Sequence, residues 1–307
     1  FKKLGVRFPG GVMGREKIQG RIKLEAGHPL KHSRYTKLVH GNVIRLRYTD
    51  PVTRLNLRPE RICAMKFLFR ILRRLVGYLL GVLLVALIAA AATFGWQGYK
   101  LYQSAVQATP LETLYQSITA RPSFVPYDQL PQTYIDAVIS VEDSRFERHH
   151  GIDPAAIVRA LWADLRTRSL AEGGSTLTQQ LAKNELFTQE KQMARKAAEM
   201  FAARDIEDYY SKQQIFEMYA GSCYFGNQWS GVAQAAQGYF GKPTRELTRA
   251  ECVVLAGLPN APSVYAANGE LARRRALVVV ERMERAKKLT HTQALELRDE
   301  VSALPLW

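Results

Sequence analysis

The chain has 307 residues, with 43 Lys and Arg against 28 Asp and Glu and a formal net charge of +15. Three cysteines in this length exclude a small disulfide-stapled fold, and 47% hydrophobic residues exclude a disordered polyelectrolyte. The excess positive charge is uneven: residues 1–64 hold fifteen Lys and Arg against four Asp and Glu, so the basic balance says little about partners of the remainder.

Residues 1–64 form a basic extension without a sustained helical or strand period, expected to be disordered or to lie upstream of the true start. The stretch beginning at Met65, "MKFLFRILRRLVGYLL", reads as an initiator, a basic flank and the start of an anchor. No nucleic-acid-binding motif accompanies the basic residues, so no nucleic acid is expected as a partner. From Leu75 to Trp96 the chain carries no charge, and about 20 apolar residues suffice to cross a bilayer core. The apolar region of a cleaved signal peptide spans only about 7–15 residues, so an uncleaved anchor over 65–100 is the reading adopted. Lys66, Arg70, Arg73 and Arg74 precede it and only Lys100 follows closely. The positive-inside bias then predicts a single-pass protein with its N-terminus in the cytoplasm and its C-terminal part outside the inner membrane.

Residues 101–127 carry Pro110, Pro122 and Pro126 and read as a stalk or lead-in. A mainly α-helical domain is predicted over 128–290, followed by a C-terminal tail at 291–307. Tyr134, Ile135, Val138, Ile139 and Val141 recur at helical spacing, and Pro154 suits the first turn of the next helix. Residues 192–210 form the clearest amphipathic helix. Capping-box spacing marks starts at Ser211-x-x-Gln214, Thr248-x-x-Glu251 and Thr290-x-x-Gln293, and Ser175 or Thr176 can cap another. Ser222–Gly231 reads as a loop beside a cleft. Cys63, Cys223 and Cys252 show no metal-like spacing.

Chemistry-bearing residues cluster in the middle of the domain. Glu142-Asp143 leaves the end of an apolar helix, where partial desolvation favours proton acceptance by a carboxylate; a surface acidic pair is the plainer alternative. The segment "GGSTLTQQLAKN" places uncharged hydrogen-bonding side chains from Ser175 to Gln180 and then adds Lys183 and Asn184. Lys183, Lys191, Arg195 and Lys196 fall within fourteen residues, and Glu199 follows Arg195 by four. Such cations suit phosphate groups, although Arg195 and Glu199 also fit an ordinary helix-surface pair.

The ordered series "EDSRFERHHGID", "GGSTLTQQLAKN", "RKAAE", "SKQQIFEMY", "GVAQAAQGYFGK" and "LAGLPNAPSVY" closely resembles the peptidoglycan glycosyltransferases of family 51, across about residues 128–285. The resemblance implies a lysozyme-like helical glycosyltransferase domain that polymerises lipid II. It implies that Glu142 is the base that deprotonates an acceptor hydroxyl and that Glu199 is a second essential carboxylate. Lys183, Lys191, Arg195 and Lys196 would face the pyrophosphate, while Ser175, Thr176, Gln179, Gln180 and Asn184 would line the donor site. Fixed negative charge there would repel pyrophosphate, which accounts for the neutral polar strip. Implied partners are lipid II, the growing glycan on undecaprenyl pyrophosphate, the membrane and other cell-wall synthesis proteins. No metal-ligand motif or required cofactor is expected, and a divalent cation, Mg or Mn, could bridge pyrophosphate to carboxylates.

The family commonly reads Glu-x-Tyr-Leu-Asn where this chain has Glu217-Met218-Tyr219-Ala220-Gly221, so a looser helix end is expected there. The chain also leaves no room for a penicillin-binding domain of typical size after Trp307, which suggests a monofunctional enzyme. The alternatives are a catalytically inactive lipid II-binding scaffold and a glycan-cleaving enzyme of similar fold.

Overall fold

The computed structural model describes residues 34–40, 43–49, 59–167, 173–187 and 193–307. Two units divide the chain, Phe1–Leu83 and Leu84–Trp307. Within the first, β1 (Arg34–His40) and β2 (Val43–Thr49) pair antiparallel, with Arg34 opposite Thr49 and His40 opposite Val43. This hairpin lies where no regular period was expected. Its strands are seven residues long and rich in Tyr, Val, Ile and Thr, which favour pleated structure but give too short a signal to stand out in a basic segment.

Helix α1 (Pro59–Ala108) overruns both ends of the expected anchor. Its stretch Phe67–Ala108 is long and apolar enough to cross a membrane, and its side chains from Phe67 to Ile88 stand exposed. Nothing in the sequence stops the helix after Trp96, because the first proline beyond the apolar run is Pro110. The end of α1 packs on α6 (Met193–Tyr209). Tyr99 stands edge-on to Phe201 at 5.5 Å, and the Tyr102 hydroxyl donates to Asp205. A Cβ on Gly98 would lie 2.5 Å from the Ala197 Cβ and 2.7 Å from the Ala194 carbonyl, so the two helices meet where only glycine fits.

The segment expected as a stalk belongs to the globule instead. Helix α2 (Leu111–Thr119) buries Leu111, Leu114 and Ile118, three apolar residues spaced 3 and 4 apart. Phe124 and Tyr127 pack against the same core, as does Phe187 farther along.

One side of the domain is α3 (Gln132–Glu142), α9 (Arg249–Gly257), α11 (Gly269–Arg285) and α12 (His291–Ala303) packed together. Helix α4 (Pro154–Thr167) follows α3 in the chain, and its Val158 and Trp162 are exposed. The opposite side is α5 (Leu177–Leu186), α6 and α7 (Lys212–Ser222). Helices α8 (Val232–Phe240) and α10 (Pro262–Ala267) close the periphery. The expected tail is α12, which buries Ala294, Leu297 and Val301 and starts in a complete Thr290–Gln293 capping box. The boxes at Ser211–Gln214 and Thr248–Glu251 are complete as well. The mainly α-helical prediction holds.

Helix α7 runs through Ala220 and Gly221 to Ser222, so the departure from the family pattern does not shorten it. Both residues are buried, and a Cβ on Gly221 would make ordinary contact with Ile118 and Phe124. The loop after α7 turns through positive φ at Gly226, Asn227, Gln228 and Gly231.

Two predictions follow from this packing. Gly98→Ala should cost about 1–3 kcal/mol by overpacking the α1–α6 crossing, seen as a lower melting temperature of the full chain in detergent; an unchanged melt contradicts the close approach. Burial pushes the Cys223 and Cys252 thiols up to about 12. Alkylation needs the thiolate, so neither should react with iodoacetamide at pH 8 until the domain is unfolded.

Candidate active site

Helix α3 ends at Glu142 because Asp143 leaves the helical conformation, at φ −152° and ψ 74°. The side chain of Asp143 then does two jobs from a buried position. Its Oδ2 accepts the backbone N–H of Leu177, the first residue of α5, at 3.0 Å, and it meets His149 Nε2 at 2.8 Å. A carboxylate at the start of a helix satisfies an otherwise unpaired N–H and lies at the favourable end of the helix dipole. Thr176 completes the start of α5, accepting the Gln179 N–H while Gln179 Oε1 accepts the Thr176 N–H. The Thr176 hydroxyl also donates to the Gly151 carbonyl at 2.7 Å.

This geometry sorts the neutral polar strip. Thr176 and Gln179 are buried and spent on the capping box. Thr178 faces away, donating to Glu207 at 2.6 Å. Gln180 points to Glu142: its Nε2 donates to Glu142 Oε2 at 2.9 Å, and its Oε1 accepts from the Tyr219 hydroxyl at 3.5 Å, the long end of the hydrogen-bonding range. Burial holds the Tyr219 phenol well above its usual pKa, so it keeps the proton it donates toward the Gln180 amide oxygen. Ser175 sits before the cap, and its Oγ accepts from Lys196 Nζ at 2.6 Å.

The cations gather on α6. Lys196 Nζ lies 2.9 Å from Glu199 Oε2, and Arg195 Nε lies 3.5 Å from Glu199 Oε1. Glu199 is 2% exposed, whereas Lys196 stands largely in solvent. Glu199 therefore anchors two cations from the same face of α6. Lys183 and Asn184 lie on α5, and their side chains make no hydrogen bond or ion pair among the described residues. Lys183 lies near enough to Cys223 to oppose, weakly, the effect of its burial. Lys191 lies outside the described residues.

At Glu142 the two oxygens differ. Oε2 is bonded by Gln180, while Oε1 is buried and has no hydrogen-bond partner, with Arg275 Nη2 at 3.5 Å. Arg275, Asp143, His149 and Tyr219 are the residues whose place at this site the sequence reading did not assign. A signal existed for Arg275: it falls three residues after Ala272 and four before Val279, on the buried stripe of α11. Among the described residues no group of three or more His, Cys, Asp or Glu side chains stands ready to hold a metal ion.

Residues 108–284 match the family model described as transglycosylase. Penicillin-binding protein 1A of Vibrio cholerae is 44% identical over 170 residues, 54% of this chain and 20% of that protein. Penicillin-binding protein 1A of Escherichia coli is 42% identical over 180 residues, 57% of this chain and 21% of that protein. A candidate transglycosylase of Cupriavidus necator is 41% identical over 164 residues, 53% of this chain and 71% of that protein. The chain thus spans about a fifth of the length of the two penicillin-binding proteins. The matched region includes Glu142, the whole of α5 and α6, and Arg275. The chain belongs to the transglycosylase family.

Proposed function

We propose that this protein is a peptidoglycan glycosyltransferase that polymerises lipid II, with Glu142 as general base. The observation that carries the reading is the divided Glu142 carboxylate, in which Gln180 holds Oε2 and leaves buried Oε1 without a hydrogen bond. A base needs such an open acceptor within reach of the proton it takes.

In the proposed step the acceptor sugar's 4-hydroxyl gives its proton to Glu142 Oε1. Its oxygen bonds to the donor's anomeric carbon as the bond from that carbon to undecaprenyl pyrophosphate breaks. The electron pair leaves with the pyrophosphate, and displacement from one side makes an α-linked donor into a β-1,4 product. Inverting glycosidases add an acid to protonate a poor leaving group; a pyrophosphate needs charge neutralisation, which fixed cations supply. Lys183, with no protein counter-ion among the described residues, and the Arg195–Lys196 pair held by Glu199 are suited to that task. Lys191 and Asn184 would add to the same donor side, and Ser175 would act through Lys196.

Helix α1 fits this assignment, because lipid-linked substrates are confined to a membrane surface and tethering concentrates the enzyme there. The basic flank before it supports a cytoplasmic N-terminus and a catalytic domain on the outer face of the inner membrane. Other cell-wall synthesis proteins would be its neighbours. No resident cofactor is required, and a divalent cation would enter with the pyrophosphate.

The test is polymerisation of labelled lipid II by the full chain in detergent, with and without EDTA. Wild type should make glycan strands, and Glu142→Gln should fall by about 100-fold or more. Lys183→Ala should fall while still folding. EDTA should reduce the rate only if the cation bridge operates. Binding of lipid II with no glycan from wild type would contradict the enzyme and favour a scaffold.

A further inference from the structure

Helix α11 brings a third element to the base. We propose that Arg275 is a positioning residue for Glu142: its guanidinium holds Oε1 by charge at 3.5 Å without taking it as a hydrogen-bond acceptor, leaving that oxygen for the acceptor hydroxyl. This rests on the function proposed above and adds to it a residue from outside the motifs that carry the family resemblance.

Three consecutive arginines lie on α11, and the structure separates them. Arg273 donates to the carbonyls of Val301, Ser302 and Leu304 and pairs with Glu270, so it ties α11 to the last turn of α12 and the residue that follows it. Arg274 is exposed and pairs with Glu270 as well. Arg275 is turned inward, with its side chain 19% exposed, and Glu142 is its ion-pair partner among the described residues. A guanidinium is costly to withdraw from water unless it is paired, so its inward placement calls for a carboxylate at its tip.

Space for that placement is built into α9. A Cβ on Gly257 would lie 3.0 Å from Arg275 Cγ and 3.5 Å from Val279 Cγ2, so the missing side chain leaves a channel for the Arg275 stem. The ion pair is also loose in a useful way. At 3.5 Å the guanidinium acts on Oε1 by charge, and both Arg275 Nε and Glu142 Oε1 lack hydrogen bonds. A tight bidentate bond would have occupied the oxygen that must accept a proton.

The other groups acting on Glu142 are Gln180 from α5, Tyr134 from α3, Tyr219 from α7 and Cys223 at the end of α7. Burial keeps both tyrosines and the cysteine neutral, and Gln180 carries no charge. Lys183 lies on the same side, near Cys223, and is destined for the donor. Arg275 is therefore the fixed positive charge at Glu142 itself. A positive charge beside a carboxylate favours its ionised form, and removing that charge disfavours it.

The experiment is the pH dependence of kcat/KM for lipid II polymerisation by the full chain, from pH 5 to 9, in wild type, Arg275→Met, Arg275→Lys and Gly257→Ala. Arg275→Met should move the acid limb to higher pH by about one pH unit or more, with loss in kcat rather than KM. Arg275→Lys should restore the limb most of the way. Gly257→Ala, which pushes the Arg275 stem aside, should shift it in the same direction and carries the test if Arg275→Met does not fold. A limb superimposable on wild type in Arg275→Met or, if that variant does not fold, in Gly257→Ala overturns the inference. So does an equal loss at all pH values in the Met and Lys variants, which marks packing alone. In both cases glycan made by wild type leaves the proposed function standing; no glycan from wild type overturns both.

Discussion

The site depends on one carboxylate that does no chemistry itself. Asp143 ends α3, accepts the first N–H of α5 and holds His149, all from a buried position. The two helices that carry Glu142 and Gln180 are thereby fixed end to start, with Glu142 one residue before the joint. Removing that acceptor would leave a buried N–H and an imidazole unpaired, at about 1–3 kcal/mol each. The support extends beneath α5. Glu207 accepts from Thr178 at 2.6 Å and pairs with Lys212 at 2.7 Å, while Lys212 donates to the His149 carbonyl. Asp143, Glu207 and Lys212 are all bonded in this buried network, while His149 Nδ1 lies 3.8 Å from Glu207 without a hydrogen bond; paired charges of this kind tie the helices to one arrangement.

The unusual polar strip of α5 therefore divides its labour by helical position. Thr176 and Gln179 form the cap, Thr178 points to the buried carboxylate below, and Gln180 reaches Glu142. Ser175, just ahead of the cap, receives Lys196 from α6. A helix with Glu or Lys at these positions could not present a neutral donor to Glu142 and leave the neighbouring surface open to an anion. One strip thus serves the helix start through Thr176 and Gln179 and Glu142 through Gln180.

Much of this was legible in the sequence. Helical spacing located α3, the capping boxes placed the starts of α7, α9 and α12, and the ordered motifs marked Glu142, Lys183, Arg195 and Glu199. What was missed has a common cause in long sequence separation. Arg275 sits in a run of arginines that reads as a solvated face, and only its register on the buried stripe of α11 hints at an inward role. Leu111, Leu114 and Ile118 lie among prolines and looked like a stalk, yet they fill the core beneath α7. Gly98 gave no sign of its contact, because nothing local says that α6 will cross α1 at that point. Gln179 and Gln180 are adjacent and alike in composition; the helix start, fixed by Thr176 and Asp143, separates their roles.

The central claim is a single displacement in which Glu142 takes the proton and the pyrophosphate leaves from the opposite face. The anomeric configuration of the product tests it most directly. NMR coupling constants of glycan made by the full chain from α-linked lipid II should show β-1,4 linkages throughout. Retained α linkages would require two displacements and a covalent intermediate, and would contradict the role assigned to Glu142.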